Sequence, residues 1–234
     1  MTLQDFKERR VKANSVFTVE TITKNEAFDF VSIYHYLGKA KFFTKFCYGL
    51  FFEGKLVGVA TFSNPQGIVT LQSWFDLDNT NQTVMELHRL CMLPELNGSN
   101  ATSYLLSMAI KKLRRGGIQA VITLADNSRH SGSIYQICNF KYYGLTDKKT
   151  DFYTADGRVN PRGSTKDIRG TWLPRTQKHR YAYIVDKNLK CLLTEETKPS
   201  KDATSNYDCC GGGLVVLDKR FNEEHPCPKC TKTQ

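Results

Sequence analysis

"ELHRLCMLPELNGSNATSYLLSMAIKKLRRGG", residues 86–117, decides the fold. An apolar run stops at Pro94, passes through Asn97-Gly98-Ser99-Asn100, and continues with Leu105, Met108, Ala109 and Leu113 at helical spacing. The basic end of that helix, Lys111, Lys112, Arg114 and Arg115, suits the negative pole of its dipole, and Gly116-Gly117 stops it. Residues 83–93 read as a strand with Met85, Leu87, Arg89 and Cys91 on one face and Glu86, His88 and Leu90 on the other. "IQAVITLA", 118–125, is apolar without a break and reads as a buried strand. Strand, Gly-containing loop, helix and strand make a parallel crossover. The loop has two readings. It is an ordinary helix start capped by Ser99 or Asn100, or small residues there let a phosphate approach the unpaired N–H groups of a helix N-terminus. It is neither a Gly-Lys-Ser/Thr phosphate loop nor a G-x-G-x-x-G fingerprint.

Upstream, "VFTVETIT" (16–23) alternates as a strand. Ala27, Phe30, Val31 and Tyr34 then give a helix capped by Asn25 and ended near Gly38, which places His35 and Tyr36 at its C-terminus. "KFCYGLFFEGKLVGVATFSN" (45–64) is a hairpin folded about Glu53-Gly54, and "GIVTLQSWFD" (67–76) extends it as a meander. Downstream, residues 131–144 read as a short helix breaking near Asn139 and then a strand, and 178–186 as a last strand. The expected class is α+β, a mixed, mostly antiparallel sheet flanked by helices.

The 234 residues, 40% hydrophobic, suffice for one domain, 1–190, plus an appendage. No apolar run approaches the roughly 20 residues of a membrane span, and the first residues lack a signal-peptide core. A soluble cytoplasmic protein is expected. The net charge of +10 favours polyanions, nucleic acid before acidic membrane surfaces, and it is unevenly spread. Arg158, Arg162, Lys166, Arg169, Arg175, Lys178 and Arg180 face only Asp167 over residues 158–180. Trp172 among these arginines suits phosphate contact combined with base stacking or wedging. Double-stranded DNA is the expected partner.

Of eight cysteines, Cys47, Cys91, Cys138 and Cys191 lie in apolar surroundings and read as core. After a linker at 191–208, the tail 209–234 holds Cys209, Cys210, Cys227 and Cys230. Cys227-Pro-Lys-Cys230 is half of a zinc knuckle, with His225 within reach, so the tail is either a zinc site or a loose segment with free thiols.

The meander, the strand–Gly loop–helix–strand unit and the later short helix resemble the GNAT superfamily of acyl-CoA-dependent acyltransferases. That resemblance implies acetyl-CoA as donor, held from Leu93 through Asn97, Gly98, Ser99, Asn100 and Ala101, although only Gly98 and Ala101 fit the superfamily's loop pattern. More narrowly, "HYLG" at 35–38, Arg89, "AD" at 125–126, "HSGSIYQICNFKYYG" at 130–144 and "KHRYAY" at 178–183 are similar to the Mom family. Those are phage proteins with a GNAT-like fold that modify adenine in DNA by methylcarbamoylation, protecting it from restriction. The likeness implies catalytic roles for His35, Tyr36, Arg89, Asp126 and Tyr135, and iron at His35, Tyr36 and Asp126. The rival functions are an ordinary N-acetyltransferase acting on a protein or small amine, and a non-catalytic nucleic-acid-binding protein.

Overall fold

The structure is a computed structural model that describes residues 2–9, 11–35, 38, 42–65, 72–77, 83–127, 131–154, 157, 169–197, 214–218 and 223–226. The chain divides into two units, the first comprising 1–124, 132–143 and 180–196, the second 125–131, 144–179 and 197–234.

The first unit begins with α1 (Leu3–Arg9), whose Phe6 is buried edge-on against Phe17 of β1 (Phe17–Thr21), ring centroids 4.7 Å apart. Helix α2 (Lys24–Tyr34) follows, and its start differs from the expectation at Asn25. Thr23 is the cap: its hydroxyl accepts from the Glu26 N–H, and the Glu26 carboxylate accepts from the Thr23 N–H at 2.8 Å. The signature Thr-x-x-Glu was present in the sequence. These bonds hold the exposed Glu26 carboxyl below the usual carboxylate range, the Thr23 hydroxyl contributing most.

β2 (Phe46–Phe52) and β3 (Lys55–Ser63) form the expected hairpin. Glu53 (φ 47) and Gly54 (φ 76) are both left-handed, as a two-residue turn matching the strand twist demands. The sheet continues from β3 to β4 (Val84–Met92), not to the segment expected at 67–76. The described part of that segment is helical at 72–74, and Phe75 makes only an isolated bridge to Cys191. Trp74 and Phe75 are adjacent and both buried, which one half-buried strand cannot achieve because neighbouring side chains point to opposite faces.

Helix α3 (Ala101–Arg115) has the expected bounds and buries Ala101, Leu105, Leu106, Ala109, Ile110 and Leu113, with Met108 half-buried. It carries the chain to β5 (Ala120–Asp126), which pairs parallel with β4. Then come α4 (Ser133–Ile137), a left-handed Asn139 (φ 64) at the expected break, β6 (Lys141–Leu145) and β9 (Lys178–Ile184). The seven-stranded sheet runs β1-β2-β3-β4-β5-β9-β6, so the last strand inserts between β5 and β6. This is the mixed, mostly antiparallel α+β architecture expected.

Residues at the start of the expected linker belong to the first unit. Cys191 and Leu193 pack on the cluster around Trp74 and Phe75, Glu195 accepts from Lys141 at 2.6 Å, and the Glu196 N–H donates to Tyr142 O at 2.9 Å. Cys47, Cys91 and Cys138 are buried as expected, and burial pushes the Cys91 thiol up to about 12 and the Cys138 thiol up to about 11. Among the described residues, no helix is long and apolar enough to cross a membrane.

The second unit contains a two-stranded ribbon the sequence reading did not anticipate. β7 (Lys149–Thr154) pairs antiparallel with β8 (Gly170–Arg175), and a separate hairpin joins β10 (Leu214–Asp218) to β11 (Glu223–Pro226).

Replacing Thr23 with Ala should lower stability by about 1 kcal/mol, while Asn25→Ala should change it by less than about 0.5 kcal/mol. Urea unfolding of the two variants checks the cap assignment. An equal loss in both would contradict it.

Candidate active site

The backbone of β4 sets the geometry. β4 and β5 pair only at Val84 with Ala120, Met85 with Val121, and Glu86 with Ile122. Beyond that point the Thr123 hydroxyl donates to Leu87 O at 3.2 Å, a side chain taking the place of a ladder bond. On the other side, Phe62 pairs with Leu87 but its neighbour Thr61 pairs with Arg89, so His88 is the extra residue of a β-bulge.

The bulge corrects the expectation that Met85, Leu87, Arg89 and Cys91 share a face. Leu87 stands with Phe62, whereas Arg89 and Cys91 stand with Thr61 and Val59 on the opposite face. That second face lies beneath α2, because Cys47, Val59 and Cys91 cluster with Ala27, Phe30, Val31 and Phe42. Arg89 is half-buried there, and its Nη1 donates to His88 O at 2.8 Å. The same side of the molecule holds buried hydroxyls: Ser32 Oγ, Thr61 Oγ1 and Ser63 Oγ have no protein partner. His35 caps the C-terminus of α2, its N–H donating to Val31 O at 2.9 Å, and Gly38 donates back to His35 O at 2.8 Å. Tyr36 lies outside the described residues.

The loop before α3 is a folded turn. Leu93 donates to Val57 O, and Leu96, Asn97 and Ser99 donate to Leu93, Pro94 and Leu96 carbonyls. Ser99 Oγ donates to Leu96 O at 2.7 Å and accepts from the Ala101 N–H at 3.3 Å. Asn100 occupies the cap position without a side-chain cap bond. Asn97, Gly98 and Asn100 are exposed, Ser99 is half-buried, and Ala101 is fully buried, packing the helix into the core. Gly98 has φ 79, and a Cβ built there would meet nothing within 4 Å. The left-handed backbone by itself favours glycine there, and no protein atom crowds the position.

Tyr135 on α4 is buried against Phe140 and Tyr181, ring centroids 5.8 and 5.4 Å away. Burial, then the Tyr142 and Tyr135 phenols, push the Tyr181 hydroxyl well above its usual range. Arg180 in β9 is half-buried with Nε enclosed, and its charge partly offsets the burial that raises Tyr142.

In the second unit, Asp126 ends β5 and is half-buried. Its neighbour Asn127 is fixed twice: its N–H donates to Gln177 O at 3.1 Å, and its Oδ1 accepts from His179 Nε2 at 2.9 Å. His179 is 1% exposed, a supporting residue the sequence reading passed over. Gln177 Nε2 donates to Thr146 O at 2.6 Å, and the Lys178 N–H donates to Thr146 Oγ1 at 2.9 Å, which ties Lys178 into the fold. On the ribbon, Trp172 is 56% exposed and rests on buried Phe152, centroids 5.3 Å apart. Arg169 and Arg175 are exposed, Arg175 lying 3.7 Å from Asp151. Arg162 and Lys166 fall outside the described residues.

The iron and zinc readings both include residues outside the described ones, Tyr36 among them. Among the described residues, no three His, Cys, Asp or Glu side chains gather. For zinc, Cys209, Cys210, Cys227 and Cys230 lie outside the described residues; the backbone of His225 is opposite Val215 in the β10–β11 hairpin.

Because the Gly98 backbone is left-handed, Gly98→Val should cost about 1–3 kcal/mol of stability, and Gly98→Asn much less. Thermal unfolding of both variants measures the difference, and equal stabilities would count against a left-handed turn.

No curated protein matches the chain. Solved structures it is similar to include an IAA acetyltransferase from Bacillus cereus (16% identity, 72% of this chain and 99% of that one, TM-score 0.43). Another is an acetyltransferase from Bacillus subtilis in complex with CoA (17%, 72% and 98%, 0.45). A third is the ribosomal-protein-S18-alanine N-acetyltransferase from Escherichia coli (13%, 74% and 99%, 0.47). The family model of the Mom protein family matches residues 16–201, which include the bulged strand, the loop and helix α3, Asp126, Tyr135 and the ribbon. The chain belongs to the Mom protein family.

Proposed function

We propose that this protein is an acyltransferase that uses acetyl-CoA or a related acyl-CoA to modify the exocyclic amine of adenine in double-stranded DNA, protecting phage DNA from restriction. The observation that carries the acyl-CoA part is the short β4–β5 pairing, which ends at Glu86 and Ile122 while both strands continue. Backbone groups of β4 beyond Leu87 can then bond an extended, amide-bearing arm as a strand would. The chain leads from that strand into the N-terminus of α3, where a helix favours phosphate.

The reaction has simple requirements. The adenine nitrogen bonds to the thioester carbonyl carbon, the carbon–sulfur bond breaks, and the nitrogen loses a proton. The Mom resemblance assigns Asp126 to take that proton and Tyr135 to supply one to the departing thiolate. Arg89 offers a cation on the face beneath α2 for a substrate anion or polar edge. His35, which caps the end of α2, and Tyr36 are given roles by the Mom resemblance. Iron at His35, Tyr36 and Asp126 is implied by the Mom resemblance alone, and no step here passes through it.

DNA binding is assigned to the ribbon. A two-stranded β-ribbon fits a DNA groove, and Trp172, braced by Phe152, is an exposed aromatic suited to wedging beside an extruded base. Arg169 and Arg175 flank it for phosphate contact. Lys178 and Arg180 sit in β9 instead, each half-buried.

Two measurements test the reading. Mass spectrometry of nucleosides from bacteria expressing the protein should show adenine carrying an acyl-derived group. Asp126→Asn, Tyr36→Phe and His35→Ala should each remove it. Finding only unmodified adenine with soluble wild-type protein overturns the reading and favours an ordinary N-acetyltransferase. Separately, Arg169→Ala with Arg175→Ala should reduce the log-salt slope of DNA affinity by about one unit per lost phosphate contact. An unchanged slope would remove the ribbon from the interface.

A further inference from the structure

Beneath α2, one face of the sheet carries two apolar clusters with a polar strip between them. In the first cluster, Cys47, Val59 and Cys91 pack with Ala27, Phe30 and Val31 of α2. In the second, Val84 and its ladder partner Ala120 pack with Ile122, Trp74 and Phe75. Both lie on one face, because Ser63 pairs with Glu86 and Glu86 stands two residues from Val84. Between the clusters stand Thr61 opposite Arg89 and Ser63 opposite Glu86.

Two of these four side chains are buried hydroxyls. Thr61 is fully buried, Ser63 is 5% exposed, and neither hydroxyl has a hydrogen-bond partner among the described residues. Unmet hydroxyls are rare in a sheet interior, because each costs folding free energy that an apolar side chain would avoid. An apolar β-branched residue fits this face, as Val59 two residues from Thr61 shows. Arg89 and Glu86 are half-buried in the same strip, and Arg89 Nη1 donates to His88 O at 2.8 Å. The strip therefore combines a cation, a carboxylate and hydroxyls that can each donate or accept. A phosphate would be repelled by the carboxylate. The edge of a neutral heterocycle, with donors and acceptors side by side, suits the mixture.

We propose that this strip is the base-binding subsite, where the Thr61 and Ser63 hydroxyls hydrogen-bond the polar edge of an extruded adenine beside Arg89. Adenine presents ring-nitrogen acceptors and an amine donor, and Ser or Thr serves either. Neighbouring strands lie about 4.8 Å apart and alternate residues about 7 Å apart along a strand, so the strip matches a purine in size. An extruded base is held between apolar faces, which the flanking clusters supply. Both hydroxyls are covered in the free chain, so base entry has to displace the side chains above them. The subsite rests on the adenine reading and adds to it the residues that recognise the base. The two fail separately, because base binding is measured without acyl-CoA and modification with it.

The test uses the full chain and two duplexes, one fully paired and one with a single adenine opposite an abasic site, which lowers the cost of extrusion. Wild type should bind the second at least about tenfold more tightly, and Thr61→Val should lose roughly tenfold of that preference, the scale of a buried hydrogen bond. Phosphate contacts are common to both duplexes, so the ratio isolates the base. Thr61→Ser keeps a hydroxyl and should retain the preference. Thermal unfolding gives a second readout: Thr61→Val should raise Tm by about 2–4 °C, because it removes an unmet buried group. A residue kept only for packing cannot lose base preference while gaining stability. No preference in wild type, an undiminished preference in Thr61→Val, an equal loss in Thr61→Ser, or a Tm that does not rise in Thr61→Val each overturns the subsite.

Discussion

A parallel pair of strands cannot be joined by a tight turn, and β4 with β5 is the pair on which this molecule depends. Helix α3 makes the crossover, and its buried stripe fills the core. Yet the pairing lasts only from Val84 to Glu86 before Thr123 and Leu87 take up a side-chain bond. The right-handed twist of strands and the bulge at His88 both work against a longer ladder. Unpaired backbone in the centre of a sheet is expensive unless something bonds it.

The same bulge decides which side chains meet. Without the extra residue, Arg89 would stand with the buried Leu87 and Phe62. With it, Arg89 stands with Thr61 beneath α2, on a face where Ser32, Thr61 and Ser63 keep unbonded hydroxyls. Each such hydroxyl costs about 1–3 kcal/mol relative to a satisfied one. Cys47 and Cys91 share the face, and burial raises both thiols above their usual range. The polarity of this face is a cost to folding, and a substrate with polar groups would offset it.

In the second unit, precision comes from pairs of residues supporting a third. Asn127, held by Gln177 and His179, fixes the chain directly after Asp126. Phe152 under Trp172 holds an indole in the open that would otherwise find the cost of exposure hard to sustain. Gly170 permits that contact, because a Cβ there would collide with Tyr153 O and the Phe152 ring.

Local periodicity and punctuation made much of this legible in advance. The turn at Glu53-Gly54, the helix Ala101–Arg115, the strand expected at 118–125 and the break at Asn139 follow from residues within a few positions of one another. Short motifs in order, from residue 35 to residue 183, also pointed to the family whose model matches residues 16–201. The cap at Thr23 could have been read from Thr-x-x-Glu, but the sequence reading placed it at Asn25. What the chain could not announce locally depends on partners far away in sequence. The bulge at His88 exists only in register with Thr61 and Phe62, and the reversal of Arg89 follows from it. Trp74 and Phe75 abandon a strand because Cys191, Leu193 and their cluster bury both at once. The insertion of β9 beside β5 and the pairing of β7 with β8 are likewise choices among distant edges. Composition and spacing set which residues prefer which conformation; only closing the sheet decides which faces they share.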